Sequence, residues 1–435
     1  MNIGFFPSSL ETFFTHSDRK LYSSFLFVNK TSREYQWIHS LELKEMKLIP
    51  YVLTTNKSFS SLTYEEIIAD ENFTLKCREF NINFIVAPYK ISKKMNQWSM
   101  DQNIGFVSVS HTHQEKLDDK IWFDTFLKKY TIRKPQTISS SFIKTINVKK
   151  RIAIQEPHSE GSEGTFIVNN QENLDSLLET KKISLHKKYL VREFIPGPVY
   201  GISIFISKSL ISLSSLRQQI FDHYLERTDE FIGIQWLLLK DLRNNERKEI
   251  HQVFTNLSKK LLKDGFEGLL SFDFILYRGK CYVLECNPRF TSATVQILAH
   301  QELINNIDVV NKDILNHIDC SQKINPITKI AQIPNAVYSG STLFIKAFKK
   351  SAIKKTFNNG LYSLIDEKIT FISPNVSGFR KDKHTLIFYS EMDVNEKYKD
   401  GEIIADIYSN FKLYETSGKL NTYGKRLIDF YNYYE

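Results

Sequence analysis

Ser271 to Phe290 reads SFDFILYRGKCYVLECNPRF. Two apolar runs, Leu269 to Tyr277 and Cys281 to Glu285, flank the turn pair Arg278-Gly279, which predicts a β-hairpin. Asp273 lies in the first strand, and Glu285 and Asn287 lie at the end of the second. Alternation brings Asp273 and Glu285 to one face, with Phe272, Phe274 and Leu284 on the other. Two carboxylates and an amide oxygen form a hard oxygen set, of the kind that Mg²⁺ takes together with phosphate oxygens. Arg289 follows two residues beyond Asn287, on the same side of an extended chain, where it can neutralise a transferring phosphoryl group. The bland alternative is a hairpin with solvated acids and a surface arginine. The spacing D-x(11)-E-x-N-x-R, with apolar residues behind it, speaks against that alternative.

Working outward, Glu249 to Lys263 is the clearest helix. Ile250, Val253, Phe254, Leu257 and Leu261 make its stripe, and Gly265 suits its C-terminal cap. Leu117 to Tyr130 is predicted as one helix, with Trp122, Phe123, Phe126, Leu127 and Tyr130 on one face. Strands are expected at Arg151–Ile154, Thr165–Val168 and Tyr189–Val191, then along Ile202, Ile204 and Ile206 after the Pro196-Gly197-Pro198 turn. The loop Glu156 to Gly164 carries Gly161 and Gly164 among Ser and Glu; such a loop lets backbone N–H groups approach phosphate oxygens. Nearer the N-terminus, Phe84–Val86 and Ile104–Val107 read as buried strands around a helical Ser92–Gln102, an α/β layer. Beyond residue 330, strands at Thr342–Ile345, Thr385–Tyr389 and Glu402–Ile407 suggest a third, smaller domain.

Composition narrows the class. At 435 residues the chain is too long for one ordinary domain. Its 32 Phe exclude a disordered chain and supply a sizeable core. The net charge of +9 is spread in pairs such as Lys149-Lys150 rather than in a long run, so a solvated basic surface is expected and nucleic acid is not. None of the four cysteines, Cys77, Cys281, Cys286 and Cys320, forms a CxxC pair, which points to free thiols. The sequence offers no secretory leader and no run long enough to cross a membrane. A cytoplasmic protein is therefore expected, with no membrane partner.

The acidic hairpin resembles the metal-binding hairpin of the ATP-grasp superfamily, in particular its biotin-carboxylase-like and carboxylate–amine ligase branches. The resemblance covers roughly residues 115 to 330. It implies an α/β fold in three parts: an N-terminal α/β domain over 1–115, an ATP-grasp module over 116–330 with a mobile lid at about 150–195, and a small C-terminal domain over 331–435. It implies ATP and Mg²⁺ as cofactors. Asp273, Glu285 and Asn287 match the metal ligands, and Arg289 matches the arginine that faces the transferred phosphate. Lys120 matches a lysine at the nucleotide phosphates, and Ser159, Gly161, Ser162 and Gly164 belong to the lid loop. Glu193, Phe194 and Ile195 match the hinge that reads adenine through its backbone, with Tyr200 just beyond. Arg217 resembles a basic residue facing phosphates or a substrate carboxylate; a surface arginine is the alternative.

Three positions depart from the family's common pattern. Gln155 stands where many members have a phosphate-binding lysine, Arg192 where the hinge often has an acid, and Val199 near a polar ribose contact. Gln supplies no charge, so Lys149, Lys150 or Arg151 would have to compensate, and Gln155→Lys should be tolerated and lower the Michaelis constant for ATP. The function implied is ligation of a small-molecule carboxylate, an amino acid or peptide, to an amine through an acyl phosphate. A homodimer is compatible with that. The rivals are a carboxylase-like enzyme using bicarbonate, which without a Met-Lys-Met biotin site here would need a separate carrier, and a nucleotide-binding scaffold without turnover.

Overall fold

The computed structural model describes residues 1–5, 23–29, 37–39, 41, 46–51, 63–87, 90–143, 146–159, 164–221, 230–297, 329–334, 336, 339–347, 357–376, 379, 384–390 and 401–432. Three sheets organise them. The first is parallel, with strand order β3-β2-β1-β4-β5. Its strands are β1 (Asn2–Phe5), β2 (Ser23–Asn29), β3 (Met46–Tyr51), β4 (Phe84–Val86) and β5 (Gly105–Val107). Phe84–Val86 and Gly105–Val107 are neighbours in it, joined through the helix Lys93–Gln102, as the α/β reading expects. Ser92 caps that helix by accepting from the Met95 N–H.

The second sheet is antiparallel and small: β6 (Thr137–Ser139), β7 (Ile152–Gln155), β8 (Thr165–Val168) and β9 (Leu190–Glu193), in the order β6-β9-β7-β8. Ile152, Ile154, Val168 and Val191 give it a core of its own with the helix Gln171–Glu179.

The third sheet is the largest. Its floor runs β15-β14-β10-β12-β13, from β10 (Val199–Ile206), β12 (Arg217–Phe221), β13 (Phe231–Trp236), β14 (Gly268–Tyr277) and β15 (Lys280–Asn287); β11 (Leu210–Leu213) pairs with β10 and with β16 (Lys329–Ile330). The expected C-terminal strands are present as β17 (Ser341–Lys346), β20 (Thr385–Tyr389) and β21 (Ile403–Ser409), together with β18 (Gly360–Ile365) and β19 (Lys368–Ser373). They extend the same sheet, because β17 pairs antiparallel with β13.

Two helices clamp the hairpin from behind. Phe123 and Phe126 of α1 (Lys120–Lys129) and Ile250, Phe254 and Leu257 of α2 (Asn244–Lys263) are buried against Phe272, Phe274 and Val283. The Phe254 ring lies 5.7 Å from Phe272 and 5.1 Å from Phe274. Each such buried Phe contributes about 1.5–3 kcal/mol relative to exposure. The acidic face of the hairpin is thus carried on a rigid, well-packed back.

Two expectations need correction here. The predicted single helix Leu117–Tyr130 is two helices, His111–Asp118 and α1, because the Asp119 side chain accepts from the Ile121 and Trp122 N–H groups and starts a new helix. Lys120 therefore opens α1. Leu284 does not pack behind the hairpin. The register shifts after Asp273, pairing Asp273 with Glu285 but Phe274 with Val283, so Leu284 is the extra residue of a bulge and turns toward the acidic side. The hairpin turn itself is as expected, with Arg278 and Gly279 both at positive φ. Cys77, Cys281 and Cys286 are free and buried; Cys320 lies outside the described residues. No described helix is long and apolar enough to cross a membrane.

Candidate active site

Between the small sheet and the floor lies a cavity of about 540 Å³. It gathers residues from distant parts of the chain. Lys120, Gln155, Ser159, Glu193, Phe194, Ile195, Arg217, Asp273, Glu285, Asn287 and Arg289, all expected at the site, line it together. Gly161 and Ser162 lie outside the described residues. Gly164 holds the near end of the loop: its φ is +67° and its carbonyl accepts from the Glu156 N–H at 2.8 Å. Neither Gly164 nor Tyr200 lines the cavity. Val199 lines the cavity, so strand alternation turns Tyr200 to the opposite face, where its ring lies 5.6 Å from Phe274.

The hairpin places its acids as the alternation predicts. Asp273 is the register partner of Glu285, and Asn287 Nδ2 donates to Asp273 Oδ2 at 3.4 Å. Lys120 reaches them from α1. Its ammonium lies 3.5 Å from Glu285 and donates to the Ser159 carbonyl at 2.8 Å and Oγ at 3.1 Å. One lysine therefore ties the acidic hairpin to the loop that precedes β8. His158 is a largely exposed loop residue, with Nδ1 3.5 Å from Asp118.

Burial pushes the Asp273 carboxyl up to about 7, with the Glu285 charge adding to the shift and Arg217 opposing it. Burial pushes Glu285 upward too, but Lys120, the hydrogen bond from Asp273 and Arg192 outweigh it and leave Glu285 below its ordinary value. A carboxyl raised in the folded state binds its proton more tightly there than in the unfolded chain, so its effect on stability is unfavourable as pH rises through that window. The melting temperature of the ligand-free protein is therefore expected to fall from about pH 4, the ordinary carboxylate range, to about pH 7, and to level off above it. Asp273→Asn should flatten that fall and raise the melting temperature at pH 8. Melts showing the variant less stable at pH 8 would contradict this.

Arg217 lies across the floor beside the acids. It donates to Ser203 Oγ at 3.2 Å, and Ser203 in turn hydrogen-bonds Ser271 at 2.7 Å. Burial lowers its pKa to about 10, opposed by Asp273, so it stays cationic at neutral pH. Gly201 makes this position available. It pairs with both Asp273 and Arg217, and a Cβ there would stand 2.7 Å from Arg217 Nε. Sequence reading passed over Gly201; a glycine inside an alternating strand is the signal that another group approaches closely.

Arg192, which departs from the family pattern in the sequence, has a definite place in the site. Its guanidinium is buried in the cavity wall, donates to the Leu284 carbonyl at 3.0 Å and to Gln155 Oε1, and lies 3.8 Å from Asp124. Burial lowers its pKa, while Asp124 and Glu285 raise it. The cation absent from position 155 thus sits on the neighbouring strand at 192. Lys149 and Lys150 are exposed, and Arg151 stacks on the Phe194 ring at 3.8 Å. The expectation for Gln155→Lys reverses. A lysine would remove an acceptor from a buried guanidinium and set a second cation against it, a loss of about 1–3 kcal/mol or more. The variant should melt lower and bind ATP more weakly; an unchanged melt with a lower Michaelis constant for ATP would restore the original expectation.

Comparison with known proteins agrees with this architecture. Residues 117–293 match the model of the ATP-grasp domain. The arginine-specific large chain of carbamoyl phosphate synthase from Halalkalibacterium halodurans is 28% identical over 149 residues, covering 34% of this chain and 14% of that one. The chain spans about a quarter or less of the length of the carbamoyl phosphate synthase large chains it matches. The biotin carboxylase domain of Hydrogenobacter thermophilus 2-oxoglutarate carboxylase, solved with MgADP and bicarbonate, superposes with a TM-score of 0.63 at 12% identity, covering 94% of this chain and 85% of that one. The L-amino acid ligase of Bacillus licheniformis superposes with a TM-score of 0.58 at 12% identity, covering 99% and 96%. With the sequence match and the fold in agreement, residues 117–293 of this chain form an ATP-grasp domain.

Proposed function

We propose that the chain is an ATP-dependent carboxylate–amine ligase that works through an acyl phosphate. One observation carries this reading: Asp273, Glu285 and Asn287, the cations Lys120, Arg192, Arg217 and Arg289, and the hinge residues Glu193 to Ile195 all face one cavity. The acid pair fits Mg²⁺. Two carboxylates are held together at a cost that shows in the raised Asp273 pKa, and a half-turn of the Asn287 amide presents its oxygen as a third donor. Bound there, Mg²⁺ would draw charge from the β and γ phosphates of ATP.

The protein's own part is positioning and charge neutralisation. The hinge and the apolar wall of Val199, Ile275 and Leu284 would hold the adenine. Lys120 would couple the loop to the phosphates, and Arg192 would add the charge that position 155 lacks. A carboxylate oxygen then bonds to the γ-phosphorus as the β–γ bridging oxygen leaves with its electron pair in ADP. Arg289 would face the new acyl phosphate until a neutral amine attacks its carbonyl carbon; the C–O bond to phosphate then breaks with its electron pair, and the amine's surplus proton passes to the departing phosphate or to water. The test is ADP release that requires both an acid and an amine. Nucleotide binding without turnover on any acid would make the protein a scaffold instead.

A further inference from the structure

The cavity has a second apolar patch that the nucleotide does not account for. Arg217, Gln219 and Phe221 alternate onto the cavity side of β12. Across from them on β13, Ile234 is the register partner of Gln219, and Phe231 that of Phe221. The Phe221 and Phe231 rings are 6.0 Å apart, centroid to centroid. Ala293, four residues beyond Arg289, lines the cavity as well and packs in one cluster with Ile234 and Phe231. Arg217 and Gln219 separate this patch from the hinge patch of Ile195, Val199 and Ile275.

On the ligase reading a planar base would occupy the hinge wall, with its phosphates toward the acids. A carboxylate that attacks the γ-phosphorus must lie by Asp273, Arg217 and Arg289. Ala293 follows Arg289 by four residues, and Ile234 pairs with Gln219 two positions along from Arg217, so the patch begins beside that carboxylate and continues to Phe221 and Phe231. Phe221 and Phe231 are only half-buried, so their rings retain apolar surface that a ligand can cover. None of these four side chains offers a partner to a charged group, and burying an unpaired charge there would be costly. Bicarbonate and glycine have nothing to place on such a wall.

Resting on the ligase reading, we propose that the activated substrate is a carboxylic acid bearing an uncharged apolar group, such as an aliphatic or aromatic amino acid. Its carboxylate lies between Arg217 and Arg289, and its side group lies against Phe221 and Phe231. The transfer is the one already written: the acid's oxygen gains the γ-phosphoryl group, and ADP departs with the bridging oxygen.

The test uses the full chain with Mg-ATP and hydroxylamine. ADP release is measured for leucine, phenylalanine, glycine, glutamate, lysine and bicarbonate. Leucine or phenylalanine should exceed glycine in kcat/KM by more than about tenfold, the discrimination expected of an apolar pocket. Phe221→Ala and Phe231→Ala should raise the KM for that acid, while ATP affinity measured without acid holds. Preference for glycine, glutamate, lysine or bicarbonate, or an unchanged KM in both variants, overturns the substrate class and leaves the ligase reading standing. ATP binding with no acid activated overturns the ligase reading and this inference with it.

Discussion

Glu285→Gln is expected to lower acid-dependent ADP release by more than about a hundredfold, the scale of losing a preorganised charge at the reacting centre. The substitution keeps size and shape and removes one of the two carboxylates that, on the proposed reading, would hold Mg²⁺. It also removes the partner of Lys120 at 3.5 Å, although Lys120 keeps its two bonds to Ser159. A small drop in melting temperature should therefore accompany the loss of turnover. Asp273→Asn should abolish turnover as well, yet raise the melting temperature at pH 8, because the carboxyl it replaces is ionised there against burial and a neighbouring acid. The opposite signs on stability separate a metal site from a merely structural acid pair. Full activity of either variant at limiting Mg²⁺ would refute the metal assignment.

Arg289→Ala should be as damaging, by a different route. With acid present and amine absent, hydroxylamine traps an activated acyl group as a hydroxamate. Removing one preorganised charge-stabilising donor costs roughly 10²–10³-fold in rate, so trapping should fall by that order. Arg289 lines the cavity two residues beyond Asn287, and on the proposed reading it faces the acyl phosphate rather than the adenine, so nucleotide affinity should change much less than the trapping rate. Equal losses in both would make Arg289 a nucleotide-binding residue and remove its assignment to the acyl phosphate.

The site was legible in the sequence to the extent that chemistry sits on local pattern. The period of two along Asp273, Glu285 and Asn287 places their side chains, and the Arg278-Gly279 turn sets the hairpin. What escaped had non-local or compensating causes. The bulge that redirects Leu284 changes no residue type, so periodicity cannot show it. The break at Asp119 is hidden because no glycine or proline marks it, and an aspartate that caps a new helix has the same residue type as one inside a continuous helix. Gln155 and Arg192 look like two separate losses in the sequence; only the pairing of β7 with β9 shows that one answers the other. The continuation of the floor from β13 into β17 spans more than a hundred residues of chain, and no local signal encodes it.

The products of nucleotide turnover test the central claim most directly. On the proposed reading the acids and Arg289 face the terminal phosphates, so each amide formed should consume one ATP and yield ADP and phosphate. An adenylating enzyme would need its charge at the α phosphate and would release AMP and pyrophosphate. Quantifying nucleotide and amide together, with an apolar amino acid and an amine, should give ADP in a one-to-one ratio to amide. AMP as the stoichiometric product would contradict the acyl-phosphate mechanism.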